Sequence, residues 1–215
     1  MGDFRLVNSK MNTNFGDSGF NLAVAAIQSN DITTMRKGLE QLKNIETRDE
    51  NGNTLLTLAV HAERYGIAKI LLDARADVNA MGRHRRTPVD IAAESRNSRI
   101  LSLLLKRGGD PNLRPIGDYY DDVPPLHLAA EANSPKCIEL LLDYGAEINA
   151  RDEAWQRTAL HVSLDTDPAL RAAECLILRG ADIHAHDKMG ATPLQEAIAC
   201  NATRIVALLR QRGAF

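Results

Sequence analysis

The chain has 215 residues, of which 44% are hydrophobic and only 4% aromatic, and a formal net charge of −2 at pH 7. That balance gives no global attraction to nucleic acid or anionic lipid, and a core of Leu, Ile, Val and Ala suits close-packed helices better than a sheet sandwich. Three scattered cysteines, Cys137, Cys175 and Cys200, lack C-x-x-C spacing and suggest neither a disulfide framework nor a zinc site, and no apolar run approaches the roughly 18 residues of a membrane span.

From the N-terminus, residues 1–18 read as a flexible polar segment without the apolar stretch of a signal peptide. FNLAVAAIQSN from Phe20 and DITTMRKGLEQLKN from Asp31 then predict two helices. A recurring hexapeptide follows: TLLTLA at Thr54, TPVDIA at Thr87, PPLHLA at Pro124, TALHVS at Thr158 and TPLQEA at Thr192, with successive spacings of 33, 37, 34 and 34 residues. A second marker follows each start by 22 or 23 residues, at Ala76, Gly109, Ala146, Ala181 and Ala214. Two registered markers in five copies define a repeat.

Each unit reads as helix, turn, helix and an extended finger. Thr87-Pro88 and Thr192-Pro193 place a capping hydroxyl before the residue best tolerated in a first helical turn. A short Ala-rich helix follows. The second helix is longer and carries apolar residues at helical spacing, such as Ile138, Leu141 and Leu142. Gly108, Gly145, Gly180 and Gly213 end these helices, where a left-handed cap favours a residue without a Cβ. DVNA, DPNL, EINA and DIHA then alternate like a short strand or turn arm.

These markers resemble the ankyrin repeat, with its period of about 33 and T-P-L-H-x-A signature, over residues 20–215. The resemblance implies an all-α solenoid of helix-turn-helix units with hairpin-like fingers. The units are set at 19–52 (an atypical capping repeat), 53–86, 87–123, 124–157, 158–191 and 192–215. The pattern is broken by Leu55 and Thr57 in place of Pro and His, by Asp90 in place of His, and by about four extra residues that fall in PIGDYYDDV, before the fourth unit.

The resemblance further implies that His127 and His161, at the signature histidine, bond structurally between neighbouring loops, and that Asn79, Asn112 and Asn149 stand where finger asparagines of the family can be hydroxylated. His184, His186 and Asp187 fall short of the three or four converging ligands that zinc wants and read as solvated finger residues. No phosphate-binding or hydrolase motif is present, so no catalytic residue, cofactor or metal is assigned and the chain reads as a binding protein. Cys137 and Cys175 read as small core residues.

In ankyrin-like proteins partners commonly lie across the concave face of finger tips and first helices. Counting from each signature residue puts Arg83, His84, Arg86 and Glu94 on that face from the third unit. The fourth supplies Tyr120, Asp121 and Glu131, beside Tyr119 in the insertion. The fifth supplies Trp155, Arg157 and Asp165, and the sixth Met189. Aromatics and Arg dominate interface energetics. The expected partner is another protein, bound by a monomeric scaffold, adaptor or inhibitor in cytoplasm or nucleus, with a bacterial effector of ankyrin type as an alternative setting. Nucleic-acid or anionic-ligand binding through Arg83–Arg86 is the second reading. It is disfavoured, because the acidic insertion would cancel a continuous basic track.

Overall fold

A computed structural model describes residues 17–114, 123–165 and 170–215. These form helical pairs in chain order: α1 (Ser18–Ser29) with α2 (Ile32–Gln41), α3 (Leu55–His61) with α4 (Tyr65–Asp73), α5 (Pro88–Glu94) with α6 (Ser98–Lys106), α7 (Pro125–Glu131) with α8 (Pro135–Asp143), α9 (Ala159–Val162) with α10 (Arg171–Leu178), and α11 (Pro193–Ala199) with α12 (Thr203–Gln211). Each odd-numbered helix packs on the next odd one and each even-numbered helix on the next even one, which gives a two-layered solenoid.

Local chemistry sets each helix start. Thr87 Oγ1 accepts from the Asp90 amide at 3.1 Å while Asp90 Oδ2 accepts from the Thr87 amide at 2.8 Å, a reciprocal capping box. Thr192 and Gln195 repeat it, and in α9 the imidazole of His161 takes the acceptor part, its Nδ1 receiving the Thr158 amide at 3.2 Å. The second helices of the later units end at Gly108, Gly145, Gly180 and Gly213, all at positive φ, whereas Arg75 fills the corresponding place after α4 with φ of 66°.

Between α1 and α2 the backbones approach so closely that a Cβ on Gly38 would lie 2.9 Å from the Ala23 amide nitrogen. Apolar side chains then bury one continuous core from Phe20 to Ala214. Leu141 is fully buried in it, while Leu142, expected beside it, is only half-buried against its edge. Cys137 and Cys175 are buried, and Cys200 is exposed at the end of α11.

The fingers are turns. Their polar–apolar alternation admitted a short strand, but the described residues pair only as isolated bridges, Arg48 with Thr54 and Arg151 with Thr158. Adjacent fingers are joined by side chains instead. Asn79 Oδ1 accepts from the Asp110 amide at 2.9 Å, Asn112 Oδ1 from the Glu147 amide at 2.9 Å and Asn149 Oδ1 from the Asp182 amide at 2.8 Å. These asparagines are rungs between units. His184 follows at the same marker position, with its ring centroid 5.6 Å from that of Phe215. Among the described residues no group of three or more His, Cys, Asp or Glu is placed to hold a metal ion, and no helix is long and apolar enough to cross a membrane.

Candidate partner-binding site

The signature histidines connect the core to the concave face. His127 Nε2 bonds the Arg157 carbonyl at 2.8 Å, and His161 Nε2 bonds the Ala191 carbonyl at 3.3 Å, each reaching the finger that leads into the next signature. Both rings are fully buried, and burial lowers both pKa values below the usual histidine range. A neutral imidazole donating from Nε2 to a carbonyl satisfies that buried acceptor without water.

Those bonds set the two fingers that carry the site. In the finger leading into Thr158, Asp152 Oδ1 accepts from the Trp155 amide at 2.6 Å, and the Trp155 carbonyl accepts from the Lys188 amide of the neighbouring finger at 2.8 Å. In that finger Asp187 Oδ1 accepts from the amides of Met189 and Ala191 at 2.9 and 2.7 Å. Despite the cost of burial, these amides hold the Asp187 carboxyl below the usual range. The tips are therefore fixed at their bases, while their side chains stand out: Trp155 is 56% exposed and Met189 81%.

Below them lies a polar hub. Arg157 Nη1 meets Asp165 Oδ2 at 2.6 Å, and its Nη2 meets Glu196 Oε1 at 3.3 Å and donates to the His161 carbonyl at 2.9 Å. Burial opposes the Arg157 charge, but the two carboxylates outweigh it and raise the Arg157 pKa. Glu196 also shifts upward, its carboxyl pushed up to about 7, chiefly by burial and further by Asp165 and Asp187 against the pull of Arg157. The two shifts do not mirror each other because the guanidinium is shared and sits closer to Asp165. Glu196 Oε2 and Arg157 Nε are buried without a hydrogen-bond partner. Trp155, Arg157, Asp165, Asp187, Met189 and Glu196 line an open hollow of about 230 Å³. A second hollow of about 240 Å³ adjoins it through Arg157 and Asp165 and reaches back to Val123 and Glu131.

The profile for ankyrin repeats in three copies matches residues 6–115 and 126–215. The chain belongs to the ankyrin-repeat family. It is 34% identical over 205 residues to the nuclear factor NF-kappa-B p105 subunit of Mus musculus, which covers 93% of this chain and 21% of that protein. It is 26% identical over 185 residues to NF-kappa-B inhibitor zeta of Homo sapiens, covering 85% and 25%. The chain thus spans about a fifth to a quarter of the length of these relatives. Among solved structures, the ankyrin repeat domain of Bcl-3 superposes with a TM-score of 0.78 at 22% identity, covering 90% of this chain and 86% of that one. The ankyrin repeat protein EF0377 gives 0.77 at 26%, covering 89% and 98%.

Of the ankyrin-face residues expected from the sequence, Trp155, Arg157, Asp165 and Met189 come together around the hollow. Glu94 and Glu131 end α5 and α7, and Asp165 stands at the same register position just after α9; all three are exposed. Arg83 and His84 are exposed on a 3₁₀ turn, Arg83–Arg85, far along the chain from Trp155, and Arg86 is half-buried. Tyr119, Tyr120 and Asp121 lie outside the described residues. Register counting missed Glu196 and Asp187. A signal for Glu196 was present: four residues after each signature start the earlier units carry Leu58, Ile91, Leu128 and Val162, and only the last carries an acid.

Proposed function

We propose that the chain is a protein-binding module, acting as scaffold, adaptor or inhibitor, that holds its partner across the concave face of finger tips and first helices. The observation that carries this reading is the pair Trp155 and Met189, both exposed on adjoining, hydrogen-bonded finger tips above a polar hollow. Large apolar side chains on a rigid base with polar groups beneath are the composition of an interface hot spot. The partner-binding set stays as read from the sequence: Arg83, His84, Arg86, Glu94, Tyr119, Tyr120, Asp121, Glu131, Trp155, Arg157, Asp165 and Met189. Likeness to the p105 subunit and to NF-kappa-B inhibitor zeta supports a cytoplasmic or nuclear setting. The unit boundaries at 53, 87, 124, 158 and 192 stand as the proposed division, and the protein is proposed to act as a monomer.

Affinity capture from the source cell tests the reading, with Trp155→Ala plus Met189→Ala against Tyr144→Ala plus Leu178→Ala, exposed residues at the ends of second helices. Loss of the captured partner in the first pair alone supports the concave face, and loss in the second pair alone moves the site to the outer helices. The second reading, an anionic ligand at Arg83–Arg86, is favoured only by the exposure of Arg83, His84 and Arg85. Oligonucleotide binding that weakens steeply with salt would select it.

A further inference from the structure

We infer that the hollow between the Trp155 and Met189 fingers seats one cationic side chain, Lys or Arg, of the partner protein, with its stem between Trp155 and Met189 and its charge against Asp165 and Glu196. The inference deepens the concave-face reading and rests on it. Four observations carry it.

The first is charge. Asp165, Asp187 and Glu196 line the hollow against the single guanidinium of Arg157. That guanidinium is already divided between Asp165 and Glu196, and the nearby Lys188 ammonium is turned to the Ala154 carbonyl at 3.2 Å. The second is an incomplete bonding pattern. Glu196 Oε2 is buried with no hydrogen-bond partner, and burial with two neighbouring carboxylates makes its ionised form costly. A donor carrying positive charge supplies what both conditions lack.

The third is the rim. An indole face attracts a cation, and Trp155 with Met189 offers apolar surface to the methylene stem of Lys or Arg. The fourth is size. The hollow, about 230 Å³, is lined by only six side chains, room for one long side chain rather than a whole helix. The alternatives fit less well. An apolar side chain would strand the carboxylates, an anion would be repelled, and the described residues place no three ligands for a metal ion.

The chain contains a single Trp, so its fluorescence reports on this rim. The experiment selects a randomised peptide library displayed on phage against the full chain, and in parallel against a Glu196→Gln, Asp165→Asn variant with unchanged helical circular dichroism. Selected peptides are then titrated while Trp155 emission is followed. The expected result is peptides that share a fixed Lys or Arg, shift Trp155 emission saturably, and bind the variant roughly five-fold more weakly or worse. Replacing the fixed basic residue by norleucine should remove the shift. Peptides without a common basic residue, an emission shift equal in the variant, or no selectable peptide at all overturns the inference. The concave-face reading has its own outcome. A captured partner that is lost with Trp155→Ala but indifferent to Glu196→Gln leaves that reading standing and removes the cation seat, whereas indifference to both removes the two together.

Discussion

His127 and Arg157 are joined across 30 residues: the buried imidazole Nε2 meets the Arg157 carbonyl at 2.8 Å, while its Nδ1 has no partner among the described residues. The next unit shows what is missing, because His161 Nδ1 receives both the amide and the hydroxyl of Thr158. Pro124 stands where Thr would be and offers neither donor. Pro124→Thr should therefore stabilise the fold by about 1 kcal/mol, the value of a capping hydrogen bond. Chemical denaturation checks it, and a gain absent from the His127→Ala background would assign the gain to this bond.

Asp90 holds the signature histidine's place and is fully buried, with Oδ2 bonded to the Thr87 amide and hydroxyl and Oδ1 unpaired. Burial lifts its carboxyl to about 6, against the Thr87 bonds and Arg86, with Glu94 adding to the rise. The native state thus holds a proton that the unfolded chain releases near its ordinary pKa. The stabilisation is complete at low pH and is lost as pH rises through about 6. Asp90→Asn should be near neutral at about pH 4 and stabilising by on the order of 2–3 kcal/mol at about pH 7. Melting curves of both proteins across that range decide it. A pH-independent difference between them would contradict the assignment.

Leu141, fully buried between helix layers, should cost roughly 2–5 kcal/mol on truncation to Ala. Arg85→Ala, on an exposed finger tip, should change stability by about 0.5 kcal/mol or less. Equal effects in urea unfolding would show that the two faces have been assigned wrongly.

Arg75 adopts φ of 66° where the later units use glycine. A left-handed conformation costs an L residue roughly 1–2 kcal/mol, part of which glycine returns as unfolded-state entropy. Arg75→Gly should give a net gain of about 0.5 kcal/mol, read as a higher denaturation midpoint at unchanged slope.

Trp155→Ala should weaken partner binding by about 2 kcal/mol or more if the indole is a buried anchor in the complex. Charge reversal at Arg83 and Arg86 should act mainly on the association rate and fade at high salt. Rates measured at two salt concentrations separate the two effects.

The sequence by itself determined the fold, because every signal for it is local and repeated. A hydroxyl caps a helix three residues away, a glycine ends one within a turn, and helical periodicity lies inside ten residues. Five registered copies then specify the stacking. The same register named the face and reached Trp155, Arg157, Asp165 and Met189. What only the tertiary structure decided is how that face is wired. Arg157 and Glu196 are 39 residues apart, and their pairing depends on the finger carrying Arg157 lying near α11, a distance set by packing rather than by any local rule. The same packing hides Glu196 Oε2, turns Asp187 into a brace for its own finger and leaves Trp155 uncovered. Burial and charge at that point are sums over neighbouring units, and no single repeat contains them.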